Sequence, residues 1–187
     1  MEDSPEKKSL RSLFLEKRDN TSFDLMKIAS GKIQKRLKKI NGFRNAQKIG
    51  AYFPIGSEML TQDIIQELLS DGKDVFLPRV IGEKMEFRKI TDFSSLEKGS
   101  FDIMEPKEDC PTDNSLDVIL VPTVGISPVG VRIGYGYGFY DKFLAEHKTT
   151  TISLTMEKQI IKNIPKSEHD ITIDWIVTED RFLQTQR

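Results

Sequence analysis

The sequence predicts an α/β fold built on a mostly parallel sheet with helices on both faces. Three observations carry the prediction. Short runs of β-branched and aromatic residues, several of them closed by proline, alternate with amphipathic segments of about ten residues. That alternation is the pattern of strands joined by crossover helices. The run Val118-Ile119-Leu120-Val121 is apolar at every position, as a strand covered on both faces must be. Finally, the 187 residues suit a single domain, which takes about 150 residues.

The elements follow in order. Residues 5–19 and 22–41 read as helices. In the second, Leu25, Ile28, Ala29, Ile33, Leu37 and Ile40 fall at helical spacing, and Asn41-Gly42 is a stop signal. Residues 49–53 read as a short strand ended by Pro54. A helix over 60–69 presents Ile64, Ile65, Leu68 and Leu69 on one face and closes at Asp71-Gly72. Val75 to Leu77 is the next strand, again followed by proline, and Met85 to Ile90 is another. Residues 102–114 carry two prolines and many polar side chains, and read as a loop. The strand 118–121 ends at Pro122; a helix follows over 139–147, then strands over 151–154 and 175–177 with a short helix over 157–162 between them. Parallel sheets bind ligands outside the carboxyl ends of their strands. Those ends are chemically rich here: Phe53-Pro54 to Glu58, Leu77-Pro78-Arg79, and Val121-Pro122 onward.

Composition excludes several classes. Apolar residues make up 37% of the chain and charged residues 30%, and the recurring apolar runs are not those of a disordered chain. No apolar stretch is long enough to span a bilayer. The N-terminal segment has no continuous apolar core, so no signal peptide is expected and the expected address is cytoplasmic. The single cysteine, Cys110, forms no internal disulfide and reads as a free thiol; two histidines, His147 and His169, are too few for a histidine-rich metal centre. His147 suits a helix end, and Trp175 suits sheet core. Charge is uneven: residues 1–48 hold thirteen Lys/Arg and six Asp/Glu, a balance of +7, against -8 for the remainder. Such an arm is either a solvated helix face or a contact for an anion. Aromatic residues are not interleaved with the basic ones as a single-strand nucleic-acid platform requires.

The richest segment runs from Pro122 to Asp141. Gly134, Gly136 and Gly138 alternate immediately before a helix. Backbone N–H groups there, followed by a helix N-terminus, form an anion site, although alternating glycines alone also suit a flexible loop. Arg132 could fork onto a phosphate oxygen. Asp141, in the first helical turn, favours the helix dipole and could also hold Mg²⁺ beside a phosphate. There is no Gly-Lys-Ser/Thr, and the spacing is not G-x-G-x-x-G, so neither a P-loop nor a dinucleotide fingerprint is present.

Arg132-Ile-Gly-Tyr-Gly-Tyr-Gly-Phe-Tyr-Asp141 resembles the R-L-G-x-G-x-G-Y-Y-D signature of the 5-formyltetrahydrofolate cyclo-ligase family, also called 5,10-methenyltetrahydrofolate synthetase. Other landmarks stand in the family's order. Lys7-Lys-Ser-Leu-Arg11 resembles K-x-x-x-R, with Arg18 beyond it; Tyr52 to Thr61 resembles Y-x-P-x-x-x-E-x-D-T. Leu77-Pro78 and Met85 to Phe87 match the middle strands, Asp117 to Pro122 resembles D-x-I-x-V-P, and His169-Asp170 with Asp174 to Glu179 resembles the closing H-D-x-x-x-D-x-x-x-T-E. The resemblance covers nearly the whole chain.

The resemblance implies a three-layer α/β fold of the kind shared with sugar-phosphate isomerases and CoA transferases, the N-terminal helices packed on it, and a monomer. It implies that ATP drives closure of 5-formyltetrahydrofolate to 5,10-methenyltetrahydrofolate, releasing ADP and phosphate. The formyl oxygen attacks the γ-phosphate, N10 adds to the resulting imidoyl phosphate, and phosphate leaves. Phosphoryl transfer needs positioning and charge neutralisation more than a protein nucleophile. Lys7, Arg11 and the loop Arg132, Ile133, Gly134, Tyr135, Gly136, Tyr137, Gly138, Phe139 and Tyr140 would contact ATP. Phe53, Glu58 and the residues from Tyr135 to Phe139 would contact the folate. Asp141 and Asp170 would hold Mg²⁺.

The chain departs from the family pattern at four places. Phe139 stands where tyrosine is more common, Tyr137 where the residue is less bulky, Leu60 where aspartate is usual and Thr123 where glycine is common. A tyrosine at 137 would narrow the phosphate pocket or stack on substrate. Two other readings stay open: a nucleotide- or folate-binding member that has lost turnover, and a nucleic-acid binder using the basic arm.

Overall fold

The computed structural model describes residues 4–99 and 103–185. Eleven strands are named in chain order: β1 (Lys48–Gly50), β2 (Asp74–Ile81), β3 (Lys84–Ile90), β4 (Leu96–Lys98), β5 (Met104–Pro106), β6 (Val118–Val121), β7 (Gly125–Ile126), β8 (Arg132–Ile133), β9 (Thr150–Leu154), β10 (Trp175–Val177) and β11 (Phe182–Gln184). Seven of them form one sheet in the order β11-β10-β9-β6-β1-β2-β3. The inner pairings, from β10 through β9, β6 and β1 to β2, are parallel. The two edge strands, β3 and β11, run antiparallel to their neighbours. The α/β prediction with a mostly parallel sheet therefore holds.

The helices are α1 (Pro5–Asp19), α2 (Phe23–Leu37), α3 (Asn41–Asn45), α4 (Gln62–Ser70) and α5 (Phe139–Glu146). Period-two alternation along the strands divides the core between two faces. Val75, Leu77, Val118 and Leu120 face Ala29, Ile33 and Leu37 of α2 and Ile64, Ile65 and Leu68 of α4. Phe76, Ile119, Val121 and Ile176 face Phe143 and Leu144 of α5 on the other side. A third, smaller cluster joins Phe14 of α1 to Val124, Val131 and Ile133 around the β7–β8 ribbon. Ser4 caps α1 by accepting from the Lys7 amide at 3.2 Å, and Pro5 opens it, so the start of this helix is written locally.

Several boundaries differ from the sequence expectation. The helix expected over 22–41 ends at Leu37, and Asn41-Gly42 opens α3 instead of stopping α2. Ile40 leaves helical geometry (φ −80°, ψ 110°) and is 2% exposed, so core burial overrides a helical periodicity that ran on through it. The strand expected over 49–53 ends at Gly50. The loop expected over 102–114 begins outside the described residues and contains β5, which pairs with β4. The helix expected over 157–162 is one 3-10 turn, Glu157–Gln159. The expected bland roles of the outlying residues fit their settings. Cys110 is a free thiol, His147 caps α5 with its ring stacked on Phe143 at 4.2 Å, and Trp175 packs against the core. No helix among the described residues is long and apolar enough to cross a membrane.

Candidate active site

A cleft of about 320 Å³ opens outside the carboxyl ends of β1, β2 and β6. Four segments converge on it. The inward face of α1 brings Lys7 and Arg11; the stretch after β1 brings Tyr52, Phe53, Ile55 and Glu58; the β8 strand and glycine loop bring Arg132 to Asp141; and the turn before β10 brings Asp170. Every residue singled out from the sequence for nucleotide, folate or metal lines this one cleft. Lys7 and Arg11 share a face because they are four residues apart on a helix.

The glycine loop owes its path to two residues with positive φ: Gly136 at 100° and Gly138 at 72°. Gly138 is the N-cap of α5, a position where its left-handed backbone starts the helix with no Cβ penalty. A Cβ on Gly136 would stand 3.3 Å from the Arg11 guanidinium carbon, so the loop and α1 are in close contact there. Arg11 Nε also donates to the Gly134 carbonyl at 2.6 Å. The ribbon beneath is a hairpin, with Arg132 paired to Ile126, and it delivers Arg132 into the cleft.

One end of the cleft is charged and internally paired. Arg132 Nη2 donates to Asp141 Oδ2 at 2.9 Å, and Asp141 Oδ1 accepts from the Ile171 amide at 3.1 Å. Lys7, only 3% exposed, pairs with Asp170 and donates to Ser167 Oγ at 3.2 Å. Three cations of the basic arm, Lys7, Arg11 and Arg18, thus turn inward. Arg132 Nε is buried without a hydrogen-bond partner among the described residues. No group of three or more His, Cys, Asp or Glu side chains gathers at one point among the described residues. The carboxylates that could hold a metal here are Asp141 and Asp170, both of which line the cleft. That set suits Mg²⁺, a hard ion that takes one or two carboxylates and completes its shell with water and substrate phosphate.

The other end is largely apolar and carries two buried acids, Glu58 and Glu105, the latter accepting from the Val80 amide at 3.3 Å. Phe53 meets Phe93 edge to face at 6.0 Å, and Pro78, Val80, Met85, Ile103 and Met104 form the wall beyond it. Glu58 is 2% exposed; its Oε2 accepts from the Ile55 amide at 2.8 Å, while Oε1 is buried with no hydrogen bond among the described residues. Burial pushes the Glu58 carboxyl up to about 7, against the opposing pull of the Ile55 amide, Arg18 and the Tyr135 hydroxyl. The Tyr140 hydroxyl is likewise buried with no hydrogen bond among the described residues, and burial, with Glu58 adding to it, pushes its pKa up. Tyr137 is 59% exposed and stacks on Phe139 at 6.0 Å, so its ring stands outward at the mouth of the cleft.

Sequence reasoning gave no site role to Tyr52 or to the wall from β2, β3 and β5; the β2 and β3 residues read as ordinary strand and those of β5 as loop. It also gave no role to Arg18, whose signal was present: Lys7, Arg11, Phe14 and Arg18 repeat at i, i+4, i+7, i+11, one helical face.

The chain resembles known proteins over most of its length. The family model described as 5-formyltetrahydrofolate cyclo-ligase family matches residues 3–179. A probable 5-formyltetrahydrofolate cyclo-ligase from Caenorhabditis elegans is 31% identical over 154 residues, 73% of this chain and 75% of that protein. The Mus musculus 5-formyltetrahydrofolate cyclo-ligase is 30% identical over 156 residues, 75% of this chain and 77% of that protein. The NMR structure of Aquifex aeolicus 5,10-methenyltetrahydrofolate synthetase superposes with a TM-score of 0.87 at 30% identity, covering 97% of this chain and 93% of that one. On sequence, fold and cleft together, the chain is an enzyme belonging to the 5-formyltetrahydrofolate cyclo-ligase family.

Proposed function

We propose that the cleft catalyses ATP- and Mg²⁺-dependent closure of 5-formyltetrahydrofolate to 5,10-methenyltetrahydrofolate, with the whole chain acting as one cyclo-ligase domain. The observation that carries this reading is the division of a single cleft into a cationic, glycine-lined end and an apolar end with one unsatisfied buried carboxyl oxygen.

Lys7, Arg11 and Arg132 bind the ATP phosphates, and the amides from Gly134 to Gly138 stabilise charge on the transferring group. Asp141 and Asp170 hold Mg²⁺, which when bound neutralises phosphate charge. Both aspartates are ion-paired, so binding of ATP and Mg²⁺ exchanges partners: Lys7 and Arg132 turn from carboxylate to phosphate. Glu58 Oε1 accepts an N–H of the aminopyrimidinone ring, and Phe53 packs on its face. The formyl oxygen then attacks the γ-phosphorus and ADP leaves. N10 adds to the activated carbon and loses its proton, and the former formyl oxygen departs within phosphate. The protein supplies no nucleophile.

The test is methenyltetrahydrofolate formation, followed by its absorbance, with purified protein and 5-formyltetrahydrofolate, and repeated without ATP and without Mg²⁺. Product that requires both supports the reading. Binding of ATP or folate with no product points to a member that has lost turnover, and absence of both product and binding rules the reading out.

A further inference from the structure

Behind the wall that joins the two ends of the cleft lies a buried cation that the proposed chemistry does not use. Arg18, in the last turn of α1, is 3% exposed and does not line the cleft. Its donors reach three separate segments. Nε donates to Ser57 Oγ at 2.8 Å, in the turn that carries Glu58. Nη1 donates to the Thr123 carbonyl at 3.4 Å, just beyond β6. Nη2 donates to the Tyr135 hydroxyl in the glycine loop, with the guanidinium carbon 5.4 Å from that ring's centroid. Ser57 in turn donates to Asp19, the neighbour of Arg18.

Arg18 has no salt bridge to a carboxylate among the described residues, although a buried guanidinium is costly unless its charge is balanced. The titratable and charged groups that act on Glu58 are Arg18 from α1, Tyr52 from the stretch after β1, Tyr135 from the glycine loop and Tyr140 from α5. Arg18 is the only cation among those four. Its planar fork also suits bridging, because guanidinium donors point in fixed directions where an ammonium offers one point charge.

We propose that Arg18 is a positioning residue for the folate end of the cleft: it clamps the Glu58 turn to Tyr135 of the glycine loop and so sets how Glu58 Oε1 meets the folate ring. It acts through Glu58 and Tyr135, touches no substrate, and leaves the phosphate end to Lys7, Arg11 and Arg132. The inference rests on the proposed assignment of folate to the Glu58 end.

The test compares Arg18→Gln and Arg18→Lys with the unaltered chain. The readouts are KM for 5-formyltetrahydrofolate, KM for ATP, the dissociation constant of a non-hydrolysable ATP analogue, and the pH profile of kcat/KM for the folate. Loss of a charged hydrogen-bonding clamp is expected to raise the folate KM about tenfold. The analogue's dissociation constant should rise less than the folate KM, because Arg18 meets the glycine loop through the Tyr135 side chain and not through the loop amides. Removing the cation in Arg18→Gln should also move the Glu58 limb of the profile to higher pH, because Arg18 favours the ionised carboxyl. Arg18→Lys should restore the limb but not the folate KM, and it carries the same test should Arg18→Gln fail to fold. Equal losses for folate and nucleotide, or a folded variant with an unchanged folate KM, would overturn the proposal. Absence of turnover in the unaltered chain would instead count against the proposed reaction. Titration of 5-formyltetrahydrofolate onto the variants would then decide the role of Arg18: weakened folate binding supports it, and unchanged or absent folate binding overturns it.

Discussion

The two ends of the cleft are prepared in opposite ways. At the phosphate end every principal charge has a partner: Arg132 with Asp141, Lys7 with Asp170, and Arg11 with the Gly134 carbonyl. At the folate end Glu58 has no salt bridge and its Oε1 has no hydrogen bond among the described residues; the buried Arg132 Nε and Tyr140 hydroxyl also lack one, but Arg132 keeps its charge paired through Nη2. The difference follows from the ligands each end is proposed to meet. A site for a highly charged, strongly hydrated ligand cannot leave bare cations buried, so it neutralises them with carboxylates that can later be exchanged. A site for a planar heterocycle can leave a carboxyl unsatisfied, because burial raises its pKa and lowers the cost. One end therefore stores exchangeable ion pairs, and the other stores desolvation.

The largest expected effect lies at the phosphate end. Arg132→Ala removes a proposed phosphate-binding cation and leaves Asp141 without its partner; Asp141→Ala removes a proposed metal ligand. Each should lower kcat by about a hundredfold or more, measured as methenyltetrahydrofolate formed per enzyme under saturating substrates.

Glu58→Gln sharpens the contrast, since it should weaken function while strengthening the fold. Folate KM should rise about tenfold with loss of the charged acceptor. The Glu58 carboxyl is pushed from its ordinary 4.5 to about 7 in the folded protein. A raised value means the folded state favours the protonated form. That contribution to stability is complete below pH 4.5 and is lost as pH rises through about 7. The variant, which cannot ionise, should therefore gain up to about 3 kcal/mol over the unaltered chain at pH 8. At pH 4.5 it should gain little, and thermal unfolding at the two pH values checks the sign.

Asp170→Asn tests the exchange of partners directly. Freed of its carboxylate, Lys7 should bind ATP without metal about fivefold more tightly, as expected for about 1 kcal/mol of released pairing. Turnover with Mg²⁺ should fall at the same time. Calorimetric titration in the presence of chelator gives the first quantity and the absorbance assay the second. Tighter metal-free binding paired with weaker catalysis is an outcome that a merely structural aspartate does not produce.

The smallest effect is expected for Gly136→Ala, which forces a side chain onto a backbone with φ of 100° and to 3.3 Å from Arg11. A cost of about 1–2 kcal/mol in thermal stability and a modest rise in ATP KM should follow, with folate KM nearly unchanged.

How much of this was legible in the sequence depended on range. The parallel strands and the helices α1, α4 and α5 are local patterns of periodicity and punctuation, and they emerged within a few residues of their places. The phosphate end was legible because its glycines, Arg132 and Asp141 are contiguous. Residues distant in the chain, Lys7, Glu58 and Asp170, could be placed with them only through the family resemblance, and the cleft brings them together. The β7–β8 ribbon was missed because two-residue strands carry no periodicity. The break at Ile40 was missed because core burial, not local propensity, decides it. The contacts of Arg18 with Ser57, Thr123 and Tyr135 span 39, 105 and 117 residues, which no local pattern encodes. The unsatisfied oxygen of Glu58 is a property of packing alone.

The central claim is that the cleft activates the formyl oxygen by phosphorylation before the ring closes. The most direct test uses 5-formyltetrahydrofolate labelled with ¹⁸O in the formyl group, converted by the purified enzyme with ATP and Mg²⁺. The account predicts that the label appears in inorganic phosphate, one labelled oxygen for each ring closed. Label recovered in water, with unlabelled phosphate, would show that the oxygen leaves without phosphoryl transfer and would contradict it.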